Sequence, residues 1–315
     1  MITQLSSYHR ISFNLLIIVI SLILGTLTQA SAAQGKQRSF SSPDVAIQKF
    51  FSAVKNNDVK RLNAIFGPDG ESLISSGDTI ADSVDRKEFV RQFEAKHTIE
   101  FVGDDKVVLS LGLQDHPFPI PLIKTGKRWI FSTSSGREEI LNRRIGSNEL
   151  NAISVAKAYV VAQREYAAKD RDHDGLNAFA QRFRSEPGTN NGLYWETAAG
   201  EPESPFGPLI AEAAVEGYGS TAHSDTPAPF RGYIFKILKA QGANAEGGAF
   251  DYVVNGKMVL GFALVAYPAQ YGSSGITTFI VNQGGTIYQK DLGPATDSAA
   301  AMAIYDPDAS WKKLD

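Results

Sequence analysis

The sequence predicts an α+β fold in two successive units, each with helices first and an antiparallel sheet after them. Three patterns carry this. Apolar residues recur at helical spacing from Pro43 to Lys96, and from Thr98 the apolar period changes to two. Asn148 to Lys169 then reads as one long helix with a single apolar face. From Gly232 onward, segments rich in β-branched and aromatic residues are separated by turn signals. A long helix ahead of an antiparallel sheet is an α+β roll.

The chain begins with Arg10 ahead of a mostly apolar run from Ile11 to Leu27, followed by Ala30-Ser31-Ala32. A positive start, an apolar middle and small residues at the end are the signature of a cleaved signal peptide, residues 1–32, with a linker over 33–41. The run is short for a spanning helix, and no later segment is apolar enough to cross a bilayer. With no cysteine anywhere, the chain has no disulfide, no thiolate metal site, no cysteine nucleophile and no lipidated cysteine. The part after residue 32 carries 30 basic and 34 acidic residues, since Arg10 is the one charge removed from 31 and 34, so its charge is −4. A slightly acidic surface argues against nucleic acid and anionic membrane as partners.

The first unit spans 42–147. Ser42 is placed to cap a helix, Pro43 suits its first position and Asp44 complements its dipole. Val45, Ile47, Phe50, Phe51 and Val54 form the expected buried stripe. Asn57-Asp58 breaks this helix, and a second runs from Val59 to Phe66 until Gly67-Pro68-Asp69-Gly70 closes it. A third is expected over Asp85 to Lys96, with Phe89, Val90 and Phe93 inward. TIEFV, KVVLSLGL, FPIPLIK and RWIFSTS follow as strands, with Thr125-Gly126 as a hairpin turn.

The second unit spans 148–315. Leu150, Ile153, Ala156, Tyr159, Val160, Gln163 and Tyr166 mark the side of its helix expected to meet the sheet. GYIFKILKA, AFDYVVN, MVLGFALVAYP, ITTFIVN and TIYQK are the strands, divided by Asn255-Gly256, Gly272-Ser273-Ser274-Gly275 and Gly284-Gly285.

Three resemblances can be tied to residues. ILNRRIGSNELNAI (140–153), AQREYA (162–167), GLYW (192–195), GEPESPFGP (200–208), GYIFKIL (232–238), GFALVAYPAQYGSSG (261–275) and FIVNQGGTIY (279–288) resemble the exported bacterial proteins of the domain-of-unknown-function 2950 family, over about residues 43 to 311. That resemblance implies export and no particular activity. SPDVAIQKFFSAVKNNDVKRLNAIF with the strands after it resembles nuclear-transport-factor-2-like domains. This implies a cone in which helices lean on a curved sheet and a ligand or active site lies between them. Asp78, Asp82, His97 and His116 are the side chains available to such a site, but no spacing links them, and charge–dipole contact at a helix end accounts for His97. The helix–sheet part of the second unit is similar to type IV pilin and pseudopilin heads, in which a helix backs a four-stranded sheet. Here the helix lies mid-chain, has a polar face and does not continue an N-terminal apolar segment, so the resemblance implies a pilin-like head reused as a soluble module.

The sharpest chemical motif is DRDHDG, residues 170–175. Calcium wants six to eight oxygens, and a D-x-D-x-D-G run brings three carboxylates around one tight turn. The candidate ligands are Asp170, Asp172, Asp174, the Leu176 carbonyl and Gln181, with LNAFAQRFR as the following helix. Gln181 stands where a bidentate glutamate would close the set, which moves the expected affinity toward ~10⁻⁴–10⁻³ M. The competing reading is a solvated acidic turn in which Arg171 and His173 soften the repulsion. No other cofactor is indicated.

GLYWETAAGEPESPFGP offers Glu196, Glu201 and Glu203 as acids beside Tyr194-Trp195, and two facing carboxylates permit glycoside hydrolysis. The plainer reading is that prolines stiffen a long connection whose polar residues cap helices. Seven of the eleven tyrosines fall between Tyr218 and Tyr305, where strand placement makes most of them packing residues. Gly272 to Gly275 does not make a nucleophile elbow, and no zinc-protease, nucleotide or dinucleotide motif occurs. Asp306 and Asp308 are held apart by Pro307, and Trp311 is expected to pin the tail. These readings point to an exported, non-catalytic binding or scaffolding protein whose partner is a cell-envelope protein or polymer. The alternative is a hydrolase acting on an envelope polymer.

Overall fold

The computed structural model describes residues 37–171, 173–198, 200–218, 228–294 and 296–314. The expected signal peptide, the first part of the linker and Asp172 lie outside the described residues.

Ser42 accepts from the Val45 amide and starts α1 (Pro43–Lys55), as its sequence demands. The face it buries runs through Pro43, Ala46, Ile47, Phe50, Ala53 and Val54. Val45 is exposed: it lies about 100° from Ala46 around the helix, so the two alanines join the stripe in its place. Asp58 caps α2 (Val59–Phe66), a single 3-10 turn over Pro68–Gly70 follows, and α3 (Glu71–Ile74) is short. Asp78 caps α4 (Thr79–Ala95), which therefore begins ahead of the expected Asp85.

The first sheet is antiparallel. It contains β1 (His97–Val102), β2 (Lys106–Leu111), β3 (His116–Pro117), β4 (Leu122–Thr125) and β5 (Arg128–Phe131). Its order is β1-β2-β4-β5, with β3 also paired to β2. Alternation in β2 sends Val107, Leu109 and Leu111 inward, and β5 sends Trp129 and Phe131.

The RWIFSTS strand ends at Phe131, and α5 (Thr133–Ala167), 35 residues long, starts two residues later. It thus begins at Thr133 and not at Asn148, because the intervening REEILNRR is made of good helix formers. Gly136 brings this helix against the chain at Pro119, whose carbonyl a side chain there would strike. The expected division at 147/148 falls within α5. Its early part packs Ile140 against the first core, and its later part buries Ala152, Ala156, Tyr159, Val160 and Tyr166 in the second. Leu150 points outward.

After α5 come α6 (Gly207–Glu216), β6 (Tyr233–Leu238), β7 (Ala240–Gln241), β8 (Phe250–Asp251), β9 (Val253–Val254) and β10 (Lys257–Met258). The chain ends through β11 (Ala263–Pro268), β12 (Thr277–Asn282), β13 (Ile287–Asp291), α7 (Thr296–Ala301) and β14 (Lys312–Lys313). The main second sheet is antiparallel, in the order β14-β13-β12-β11-β6. Every residue of β11 is buried, with α5 and α7 both packed on it. Two small ladders, β7-β8 and β10-β9, complete the set among the described residues. The fold is α+β, and no helix among the described residues is long and apolar enough to cross a membrane.

The expected helix over LNAFAQRFR is absent. The fully buried Gln163 of α5 captures this segment instead, accepting from the Ala180 amide and donating to the Ala180 carbonyl, both at 2.8 Å. Phe179 pairs with Met258. These long-range bonds satisfy the backbone in extended form.

Candidate functional site

An apolar space opens in the first core. It measures about 420 Å³ and is walled by phenylalanines from three helices and a loop, Phe50, Phe66, Phe89 and Phe118, with Leu73 and Ile140. A phenyl ring asks for no hydrogen bond, so the space between rings can stay open without orphaning a polar group. Charges collect at its edge: Asp82, Asp85 and Arg86 from α4, and Arg143 and Arg144 from α5.

These charges are not equivalent. Asp82 is buried, and its carboxylate accepts from the Ser76 hydroxyl at 2.7 Å and from the Ser76 amide at 3.1 Å. Arg86 donates to the Asp82 carbonyl at 3.0 Å. Arg144 donates to the Ser72 and Leu73 carbonyls, each at 2.7 Å, which ties α5 to α3. Burial holds its guanidinium below the ordinary arginine range, while Asp82 and Asp85 pull it back up. Asp85 is reached by water yet sits in a concave wall. Desolvation there raises its carboxyl above the usual range, against the opposing pull of Arg144.

A second polar cluster lies behind this edge. Asp78 Oδ1 accepts from the Ile80 and Ala81 amides at 3.1 and 3.0 Å. Its Oδ2 accepts from the Tyr218 hydroxyl at 2.8 Å and the Gly232 amide at 2.9 Å. Burial and donation to Asp78 push the Tyr218 phenol well up. Gly232 has φ +78, and a side chain on it would collide with the Asn148 amide. Asn148 in turn donates to the Ser274 carbonyl at 2.9 Å, and Glu149 accepts from the Thr277 amide at 3.0 Å. The junction between the two cores is therefore a hydrogen-bonded polar layer.

The family profile described as "Protein of unknown function (DUF2950)" matches residues 37–314. The chain belongs to this family. No curated protein and no solved structure matches it. Two of the stretches that carry the DUF2950 resemblance, 140–153 and 261–275, meet in the polar layer through Arg144, Asn148, Ser273 and Ser274.

The residues singled out from sequence are placed as follows. In DRDHDG, Asp170 accepts from the Gly175 amide at 2.9 Å, which is the main cause of its lowered carboxyl pKa. Gly175 takes φ +87, as the tight turn requires. Asp174 accepts from the Leu176 amide at 3.0 Å and pairs with Lys257 at 2.9 Å, and Lys257 is the chief cause of its lowered pKa. Gln181 donates to the Gly256 carbonyl at 2.7 Å. The side chains of Asp170, Asp174 and Gln181 thus already bind protein groups. A calcium ion here would have to share or displace the Lys257 ammonium.

His97 is exposed, its ring stacked on Phe93 with Nδ1 3.0 Å from the Phe93 carbonyl, and His116 is exposed on β3. Neither lines the cavity, whereas Asp82 does. Glu196, Glu201 and Glu203 are all exposed; Glu196 approaches Arg184 at 3.9 Å, and Glu201 accepts from the Ala198 amide. Ser273 and Ser274 are buried and donate to backbone carbonyls. Asp306 accepts from Asn244 while Asp308 accepts from Ser310, so the two carboxylates serve different loops. Trp311 is buried under Lys290.

Sequence reasoning missed Asp85, Arg86 and Arg144. The available signal was in NRRIG: a charged pair two residues after the apolar Ile140-Leu141, at the point where α5 must leave the first core.

Proposed function

We propose that this protein is an exported, non-catalytic binding or scaffolding protein of the cell envelope, and that the phenyl-lined cavity is where it holds a ligand. The observation that carries this is the cavity itself. At about 420 Å³ with an apolar wall and charges confined to one edge, it has the size and character of a small-molecule site. The N-terminal apolar run ending in Ala30-Ser31-Ala32 supports export. The helix-and-sheet order of the first half supports the nuclear-transport-factor-2-like reading, and α5 against an antiparallel sheet supports a pilin-like module offering its outer surfaces to an envelope protein or polymer. For the hydrolase alternative, the exposed Glu196, Glu201 and Glu203 lend no support.

The test is uptake of a neutral apolar fluorophore such as N-phenyl-1-naphthylamine by the chain and by Leu73→Trp, which fills the space. Uptake by the first and not by the second is expected. Equal uptake by both would remove the cavity from the reading. Calcium enters this proposal as a structural ion at Asp170, Asp172 and Asp174. With Lys257→Gln the competing ammonium is gone, so ~10 mM calcium should raise its melting temperature more than that of the parent chain. No shift in either leaves DRDHDG a solvated turn.

A further inference from the structure

The cavity is not closed at its charged edge. Asp85, Arg144 and Ser147 line it and also line a second recess of about 300 Å³, whose other wall includes Asn148, Asn151 and Tyr218. The two spaces therefore meet along these three side chains, one apolar and one polar. Rooms of opposite character sharing one wall suit a molecule that is itself divided.

Which head such a molecule carries follows from which groups at the wall remain free. Arg144 is engaged by the Ser72 and Leu73 carbonyls, and Arg86 by the Asp82 and Ile74 carbonyls. Arg231, in the recess, is held by Glu216 and Glu212. Asp82 is held by Ser76, and Asp78 by its four donors. Asp85 is different: it accepts no hydrogen bond from any described residue, although it stands on the wall common to both spaces. Exposed to water and bound by no protein donor, this carboxylate is open to a donor on a ligand.

Resting on the cavity as a ligand site, we propose that the two spaces form one bipartite site for an amphiphile, with its apolar part among the phenyl rings and a hydrogen-bond-donating head, hydroxyl or ammonium, on Asp85. An anionic head fits poorly, because the arginines of the two spaces, Arg86, Arg143, Arg144 and Arg231, are already engaged by protein carbonyls and carboxylates while Asp85 is not. A hydrogen bond from an arriving donor would offset the desolvation that raises the Asp85 carboxyl.

Competition against the bound fluorophore tests this, with dodecylamine, dodecanol and laurate as probes at neutral pH. The amine or the alcohol should compete about tenfold better than laurate, the factor expected of one hydrogen bond to a charged group. Asp85→Asn removes the charge but keeps an acceptor, so it should weaken the amine alone. Asp85→Ala should weaken both. A preference for the amine over the alcohol in the parent chain assigns an ammonium head, and equal affinity assigns a hydroxyl. Laurate competing as well as either, or an Asp85→Ala chain that binds all three unchanged, overturns the head assignment while fluorophore uptake keeps the cavity reading intact. If no fluorophore enters the parent chain, both fall together.

Discussion

The two cores of this protein share phenylalanine but differ in tyrosine, which only the second contains among the described residues, and the difference decides what each can do. The first depends on phenylalanine: Phe50 alone meets Phe66, Phe89, Phe118 and Phe131 with ring centroids 5.0 to 5.3 Å apart. The second depends on tyrosine. Tyr159 donates to the Ala263 carbonyl, Tyr233 to the Thr277 carbonyl and Tyr252 to Gln241. A buried hydroxyl must have a partner, so each tyrosine fixes its own position and that of the strand it bonds. Rings without hydroxyls make no such demand, and they can border an open space. The tyrosine core is a scaffold, and the phenylalanine core is where something else can be accommodated.

The largest test of this contrast is truncation. Tyr159→Ala should cost about 3–5 kcal/mol, because it empties a filled site and also strips Gln163 of one acceptor. Phe89→Ala, at the cavity wall, should cost about 1–2 kcal/mol, since its side chain already has open space on one side. Urea unfolding of both variants checks this. Equal losses would mean that the cavity wall is as tightly packed as the scaffold, and the contrast would fail.

Next in size is the polar layer that joins the cores. Asp78→Asn replaces one acceptor oxygen with an NH₂ group facing donors, either the helix amides of Ile80 and Ala81 or the Tyr218 hydroxyl and Gly232 amide. A loss of about 2–3 kcal/mol is expected. If the two cores were independent, the variant would unfold in two steps or lose almost nothing. A single transition at lower denaturant would make the layer a true mechanical link.

How much of this was readable in the sequence depends on the range of the interaction. Ser42 and Asp58 act within three residues of themselves, and a helix cap is a local signal. Strand alternation in KVVLSL and RWIF is equally local. Burial of Ala46 over Val45 depends on a difference of one position in the stripe, which hydrophobicity ranks the wrong way. The long reach of α5 was hidden because RWIFSTS reads on as a strand through the residues where the helix begins. Gln163 capturing Ala180, Lys257 meeting Asp174 and Arg144 meeting Ser72 all join segments far apart in the chain, and composition holds no record of them. The cavity edge is of this last kind. Its residues look like ordinary surface charges until α4 and α5 are brought side by side.

A smaller effect sharpens the contrast from the other direction. Leu73→Trp adds bulk to the first core, where overpacking of a filled interior would cost about 1–3 kcal/mol. Because the new ring has the cavity to enter, stability should change by less than about 1 kcal/mol. Ala156→Leu in the second core, where Ala156 is almost fully buried, should fall in the higher range. Thermal melts of the two variants decide it, and similar losses would argue that the cavity walls cannot accept a side chain.

The smallest effect concerns Asp85 and has a sign that separates it from the other carboxylates. Its pKa is raised in the folded chain, chiefly by desolvation, with Asp82 and Asp78 adding to the rise and Arg144 and Arg86 opposing it. Between the unfolded carboxylate value and the raised one, the folded chain holds the proton more tightly than the unfolded chain does. Stability from this group is therefore present at low pH and is lost as pH rises through that window. Glu88 behaves oppositely: its bonds to Arg91 and Gln92 lower its pKa to about 2, so its contribution is lost only on acidification. Asp85→Asn should accordingly be more stable than the parent at neutral pH and lose that advantage as the pH falls below ~4. A variant less stable than the parent at neutral pH would mean that Asp85 is held by a partner in the folded chain and is not waiting for one.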